Sequence, residues 1–193
     1  MDTQLALPSG ESKSDSSLAV YGVVALGVAA VVFVGALMAA WLSIRSGTHP
    51  WPPKGFKVEN YFGTTLSVTA LMAAFAGWWT VYGVAKSERG QAAMGAVLVI
   101  FFDGALINLI TYVLRSSKIG LASSAYSVLY YALNGAVIAV AAAGVLVAAV
   151  VLARILGGQV TVRDPGLAWA SAWYTTFVLV AWLVVYTATY AVT

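Results

Sequence analysis

Five continuous apolar stretches separated by short polar connections organise this chain: roughly 18–44, 61–85, 91–114, 125–154 and 167–191. Each exceeds the about 20 residues that a helix needs to cross a hydrocarbon core of about 30 Å. The apolar residues run without a break rather than alternating, which argues against barrel strands, and a helix satisfies its own backbone polar groups in lipid. The pattern therefore predicts an all-α integral membrane protein, a bundle of five transmembrane helices formed by residues 18–193. The connections "RSGTHPWPPKGFKVEN", "KSERGQ", "RSSKIGLAS" and "RILGGQVTVRDPG" hold nearly every charge and leave no room for a soluble domain. Residues 1–17 carry Ser9, Gly10, Ser12, Ser14, Ser16 and mixed charges, without the basic start and cleavage site of a secretory signal. They read as a flexible polar N-terminal tail.

Composition agrees and narrows the chemistry. With 61% hydrophobic and 9% charged residues, a soluble domain of 193 residues could not hide its apolar surface. There is no cysteine, so disulfides and thiolate ligands are excluded. The net charge of +3 is spread over loops and helix ends, with no basic run fit to track a phosphate backbone, so nucleic acid is not an expected partner. Lys and Arg do not orient the chain. Lys13, Lys86, Arg89, Arg154 and Arg163 fall on one side, and Arg45, Lys54, Lys57, Arg115 and Lys118 on the other.

Between the first two spans lies "THPWPPKGF", a stiff segment in which each proline fixes its own φ and restricts the residue before it. It should lie flat across a helix end, with Trp51 at the lipid headgroups and Lys54 and Lys57 facing phosphates or a neighbouring subunit. A plain proline-rich connector is the alternative. The stretch Trp51, Pro52, Pro53, Lys54, Gly55 resembles the Trp-Pro-Pro-x-Gly found at this place in subunit III of the heme-copper (cytochrome c type) oxidases. The likeness continues in Glu88, Arg89 and Gly90 and in the aromatic opening of the fourth span, "SAYSVLYYALNG" at 124–135, and it can be laid over the chain from about residue 20 onward. It implies a diverged member of the five-helix bacterial form: a non-catalytic accessory subunit of an aerobic respiratory chain. It further implies that such a subunit stabilises the catalytic subunit I, holds phospholipid, and lies in the inner (plasma) membrane with residue 1 and "SERG" in the cytoplasm and "HPWPPKGF" and Thr193 outside.

Several polar positions of that family are apolar here. Its first-helix Ser-Glu falls on Val28 and Ala29, its fourth-helix His-x-x-His on Val137 and Val140, and a His and an Asp near the end on Thr176 and Leu179. No heme ligand set exists in the chain, so heme and copper are expected in partner subunits and no cofactor in this one. His49 stands alone in a loop and reads as a solvated residue rather than a metal ligand.

Asp103, in "VIFFDGALIN", is the one carboxylate near the middle of a span, where ionisation is costly unless the group is paired or hydrated. It reads either as a proton-handling or subunit-contact residue or as a neutral acid sharing hydrogen bonds with Asn134 and with Tyr or Thr side chains. The absence of a charged neighbour in sequence favours the second. Asn108 reads as interhelical glue, and "SERG" as a turn where Arg89 pairs with Glu88 or a lipid phosphate. Small residues at four-residue spacing, Gly135, Ala139 and Ala143, and Ala70 with Ala74 or Ala73 with Gly77, predict close helix packing. Trp41, Trp78, Trp79, Tyr82, Trp169, Trp173, Tyr186 and Tyr190 predict interfacial belts. Trp51, Pro52, Pro53, Glu88, Arg89, Asp103 and Asn134 are thus the candidate subunit- or lipid-contact residues. The competing functions are a transporter or channel component working through Asp103 and the related accessory subunit of a nitric oxide reductase. Against the transporter stand the lack of paired intramembrane charges and of any inverted repeat.

Overall fold

A computed structural model describes residues 13–49, 51, 60–117, 120–121 and 123–191. Five helices account for most of them: α1 (Lys13–Gly47), α2 (Asn60–Ala85), α3 (Arg89–Ser116), α4 (Ala125–Leu156) and α5 (Gly166–Tyr186), the last running on into a π-helical turn at Thr187–Ala191. All five are long and apolar enough to cross a membrane, and the protein is an all-α, multi-pass membrane protein. α1 starts five residues before the expected boundary and ends three after it. A helix closes its own hydrogen bonds whether its side chains meet hydrocarbon or headgroups, so polar residues at the ends of a span continue the helix.

α2 packs on α3 and α5, α3 on α2 and α4, and α1 on α4 and α5. The closest approach is between α2 and α3. A Cβ at Gly83 would lie 2.5 Å from the Ala92 backbone nitrogen, and one at Gly95 would lie 2.8 Å from that of Thr80. Glycine at both places lets the two backbones touch, and dispersion and hydrogen bonding rather than water exclusion must hold helices together in lipid. The small residues of α2 behave as expected: Ala70, Ala73, Ala74 and Gly77 are buried, with Gly77 against Ala172 and Thr175 of α5. Those of α4 do not. Gly135 faces open space and Ala139 is exposed; the inward face of α4 is instead Leu133, Ala136, Val137, Val140, Ala141 and Gly144.

Two indole nitrogens tie α5 to α2: Trp182 Nε1 donates to Ser67 Oγ, and Trp78 Nε1 to Thr176 Oγ1, each at 3.0 Å. Below them the π turn brings Tyr186 and Tyr190 into a stacked pair, 5.6 Å between centroids, lying against Gly63. Trp41 and Tyr190, expected in interfacial belts, are buried, whereas Trp79, Tyr82, Trp169 and Trp173 are exposed as a belt requires. Trp41 is enclosed because two other rings close over it.

Candidate functional site

Three places gather the residues singled out by sequence. The first is the end of the bundle where α1 stops. Trp51 folds back so that its ring meets Trp41 edge-on at 5.1 Å and Tyr126 at 5.0 Å, while Trp41 and Tyr126 are themselves 5.0 Å apart. Trp51 is half-buried and packs over the end of the bundle, where the rings of Trp41 and Tyr126 offer it edge-on contacts. The indole nitrogens of Trp41 and Trp51 are buried and unbonded among the described residues. Pro52 and Pro53, with Lys54 and Lys57, lie outside the described residues. Tyr126 is held in place by its own helix start. Ser124 and Ser127 form a reciprocal capping box, the Ser127 N–H donating to Ser124 Oγ at 3.2 Å and the Ser124 N–H to Ser127 Oγ at 3.1 Å. The serines of "SAYS" thus start α4, and its tyrosine receives the tryptophan.

The second place is the opposite end, at "SERG". Ser87 adopts a left-handed φ of 59°, with its N–H donating to the Val84 carbonyl and the Glu88 N–H to the Gly83 carbonyl. This closes α2 with a Schellman turn and starts α3 within three residues. Arg89 does not pair with Glu88 among the described residues. Its Nε donates to the carbonyl oxygen of Ile155 at 2.8 Å, placing a cation at the negative end of α4. Gly157 and Gly158, the latter at φ 72°, complete the end of that helix. Glu88 instead meets Gln91, whose amide, oriented to satisfy its neighbours, donates to Glu88 Oε2 and accepts from Trp79 Nε1, each at 2.6 Å.

The third place is the bundle interior. Asp103 is fully buried, and neither carboxyl oxygen has a hydrogen-bond partner among the described residues. Its Oδ2 lies over Gly144 of α4, where a Cβ would come within 2.8 Å, and the ring of Tyr174 from α5 flanks the same glycine at 3.4 Å. Tyr174 spends its hydroxyl on the Val140 carbonyl at 3.1 Å. The expected bond to Asn134 does not form. Asn134 is ten residues from Gly144, about 15 Å along α4, and its Nδ2 donates to the carbonyl of Tyr130 at 2.9 Å. Asp103 and Asn134 therefore sit at different depths.

Of the positions that are polar in the resembled family, Val137 and Val140 are buried, Val28 and Ala29 are exposed on α1, and Thr176 accepts the Trp78 bond. His49 is exposed just beyond α1. Asn108, read as interhelical glue, is exposed on the outer face of α3. Gly83, Gly95, Gly144 and Tyr174 were not singled out from sequence. A glycine inside a long apolar run is the signal for the first three, since it weakens a helix unless something must come close. No protein-family model matches the chain.

Proposed function

We propose that this protein is a non-catalytic accessory subunit of a heme-copper terminal oxidase, similar to subunit III, in the plasma membrane of an aerobic cell. The reading is supported by one observation above others. The described residues of the stretches that carry the resemblance include Trp51, Arg89 and the Ser124–Ser127 cap, and these knit helix ends together in a five-helix bundle. A subunit with this role needs a rigid body and no reaction centre, and the interior here is almost entirely apolar. Its partners would be the catalytic subunit, which would hold heme and copper, and membrane lipid.

Purification of the tagged chain in mild detergent, with a reduced-minus-oxidised heme spectrum, tests this. A larger heme-bearing chain should co-purify and reduce oxygen; reduction of nitric oxide instead would assign the related reductase. Recovery of a heme-free, stable homo-oligomer that moves an ion would overturn the reading. That outcome would favour a transporter or channel built around the unbonded carboxyl of Asp103.

A further inference from the structure

The outward face of α3 carries a group that lipid cannot satisfy. Met94, Val97, Phe101, Gly104, Asn108 and Tyr112 recur at three- and four-residue spacing, hence on one stripe, and are exposed or half-exposed. Asn108 stands eight residues before the end of α3 at Ser116, about 12 Å along the axis. The helix has 28 residues, about 42 Å, against a hydrocarbon core of about 30 Å. A centred helix therefore projects about 6 Å at each end and carries Asn108 about 6 Å inside the hydrocarbon.

The threonines of the spans dispose of their hydrogens locally, Thr65, Thr69 and Thr111 donating to carbonyls one turn earlier on Tyr61, Thr65 and Ile107, and Asn134 spends one amide hydrogen the same way while its Oδ1 stays unbonded among the described residues. A carboxamide brings two donors and an acceptor, too many for that outlet. Asn108 makes no hydrogen bond among the described residues. Leaving it in hydrocarbon is costly, and an amide on a helix partner removes the cost. One turn away, a Cβ built on Gly104 meets nothing within 4 Å, so a second backbone can approach at that level. Arg115 is exposed on the same stripe at the end of the span.

We propose that the α3 face centred on Asn108 is the docking surface for a transmembrane helix of another chain, one presenting a hydrogen-bonding side chain at the depth of Asn108 and a carboxylate beside Arg115. A second copy of this chain fits less well, since a twofold axis along this stripe would bring Arg115 towards its own copy. Only the identity of that chain rests on the accessory-subunit reading, under which it is the heme-bearing partner.

The test is a photo-activatable phenylalanine analogue introduced at Phe101, in the full chain in its own membrane, with the same analogue at Phe75 on the outward face of α2 as the comparison. Phe101 should give an adduct to one membrane-spanning peptide of another chain. Asn108→Leu should lower its yield about fivefold, the scale of one intramembrane hydrogen bond, Asn108→Gln should retain it, and the melting of the isolated chain should not change. Adducts to lipid alone or to a second copy, an unchanged yield in Asn108→Leu, or a lowered melting temperature would each overturn the proposal. If a heme-bearing chain co-purifies but its adducts come from Phe75, the docking face is wrong and the accessory reading stands. If the Phe101 adduct joins a chain of a complex without heme, the reverse holds.

Discussion

At the scale of single residues, Asp103 is the side chain whose environment departs furthest from expectation. Its carboxyl oxygens have no donor among the described residues, and Oδ2 lies over Gly144, beside which the Tyr174 ring also packs. A buried polar group without a partner lowers stability, and an apolar replacement of similar shape removes that penalty. Asp103→Val is therefore expected to raise the stability of the detergent-solubilised bundle by about 1 kcal/mol, while Asp103→Asn, which keeps a polar group of the same shape in the same place, brings no such gain. Thermal unfolding read by circular dichroism decides the matter, and a marked loss in Asp103→Val would show bonds to Asp103 that matter. Gly144→Ala has the opposite sign. The added methyl falls 2.8 Å from Asp103 Oδ2 and 3.4 Å from the Tyr174 ring, and overpacking of this kind costs about 1–3 kcal/mol. If the steric reading is right, combining Gly144→Ala with Asp103→Ala recovers most of the loss, because the atom in the way is gone.

At the scale of elements, the ends of the helices hold most of the specific chemistry. Ser87 takes the left-handed conformation that a Schellman turn demands at that place, at a cost glycine does not bear. Ser87→Gly should stabilise the bundle by about 1 kcal/mol. A fall in melting temperature would mean that the serine side chain contributes something the turn alone does not. Arg89→Leu should destabilise by about 1 kcal/mol, losing the charged donor at the Ile155 carbonyl. Arg89→Lys should recover part of that, since the cation stays at the end of α4 without the planar donor geometry.

The existence and order of the five helices could be read directly from the apolar runs, and so could the bounds of α2 to within one residue, whereas α1 runs well past its apolar stretch at both ends. An apolar run measures hydrocarbon depth, and α1, α3 and α4 all extend beyond it into headgroup territory. Nor does apolarity separate an α-helix from the π turn that ends α5. The depth of the polar residues was legible and was missed. α3 and α4 run antiparallel, so Asp103, 14 residues after Arg89 at the start of α3, faces positions about as far before Leu156 at the end of α4. Gly144 is 12 residues before it, and Asn134 is 22.

At the scale of the whole molecule, topology follows from an odd number of spans once one end is assigned. The proposed orientation places residue 12 in the cytoplasm and residue 46 outside. The chain has no cysteine to mask, so single cysteines at Ser12 and Ser46 can be labelled in intact cells with a membrane-impermeant maleimide. Only Ser46→Cys should react, and reaction of Ser12→Cys would invert the bundle. The composition-based charge rule was silent here because five cations stand on each side, whereas Arg89 at the end of α4 shows that a cation near a membrane face can be engaged by the protein itself. Counting such a residue toward orientation overlooks that one of its donors is already held by a helix end.

The packing of α1 carries a consequence for how the bundle is made. α1 rests on α4 and α5, and most of its length is exposed in the finished fold. Of these five spans it is the first to leave the ribosome and the last able to find its neighbours. Until α4 has entered the bilayer, Trp41 lacks the Tyr126 ring that helps to enclose it, while α2 and α3 can already zip together across Gly83 and Gly95. Assembly should thus proceed from the middle of the chain outward. An insertion intermediate arrested before α4 would hold a docked α2–α3 pair beside a first helix that has yet to meet either of its neighbours.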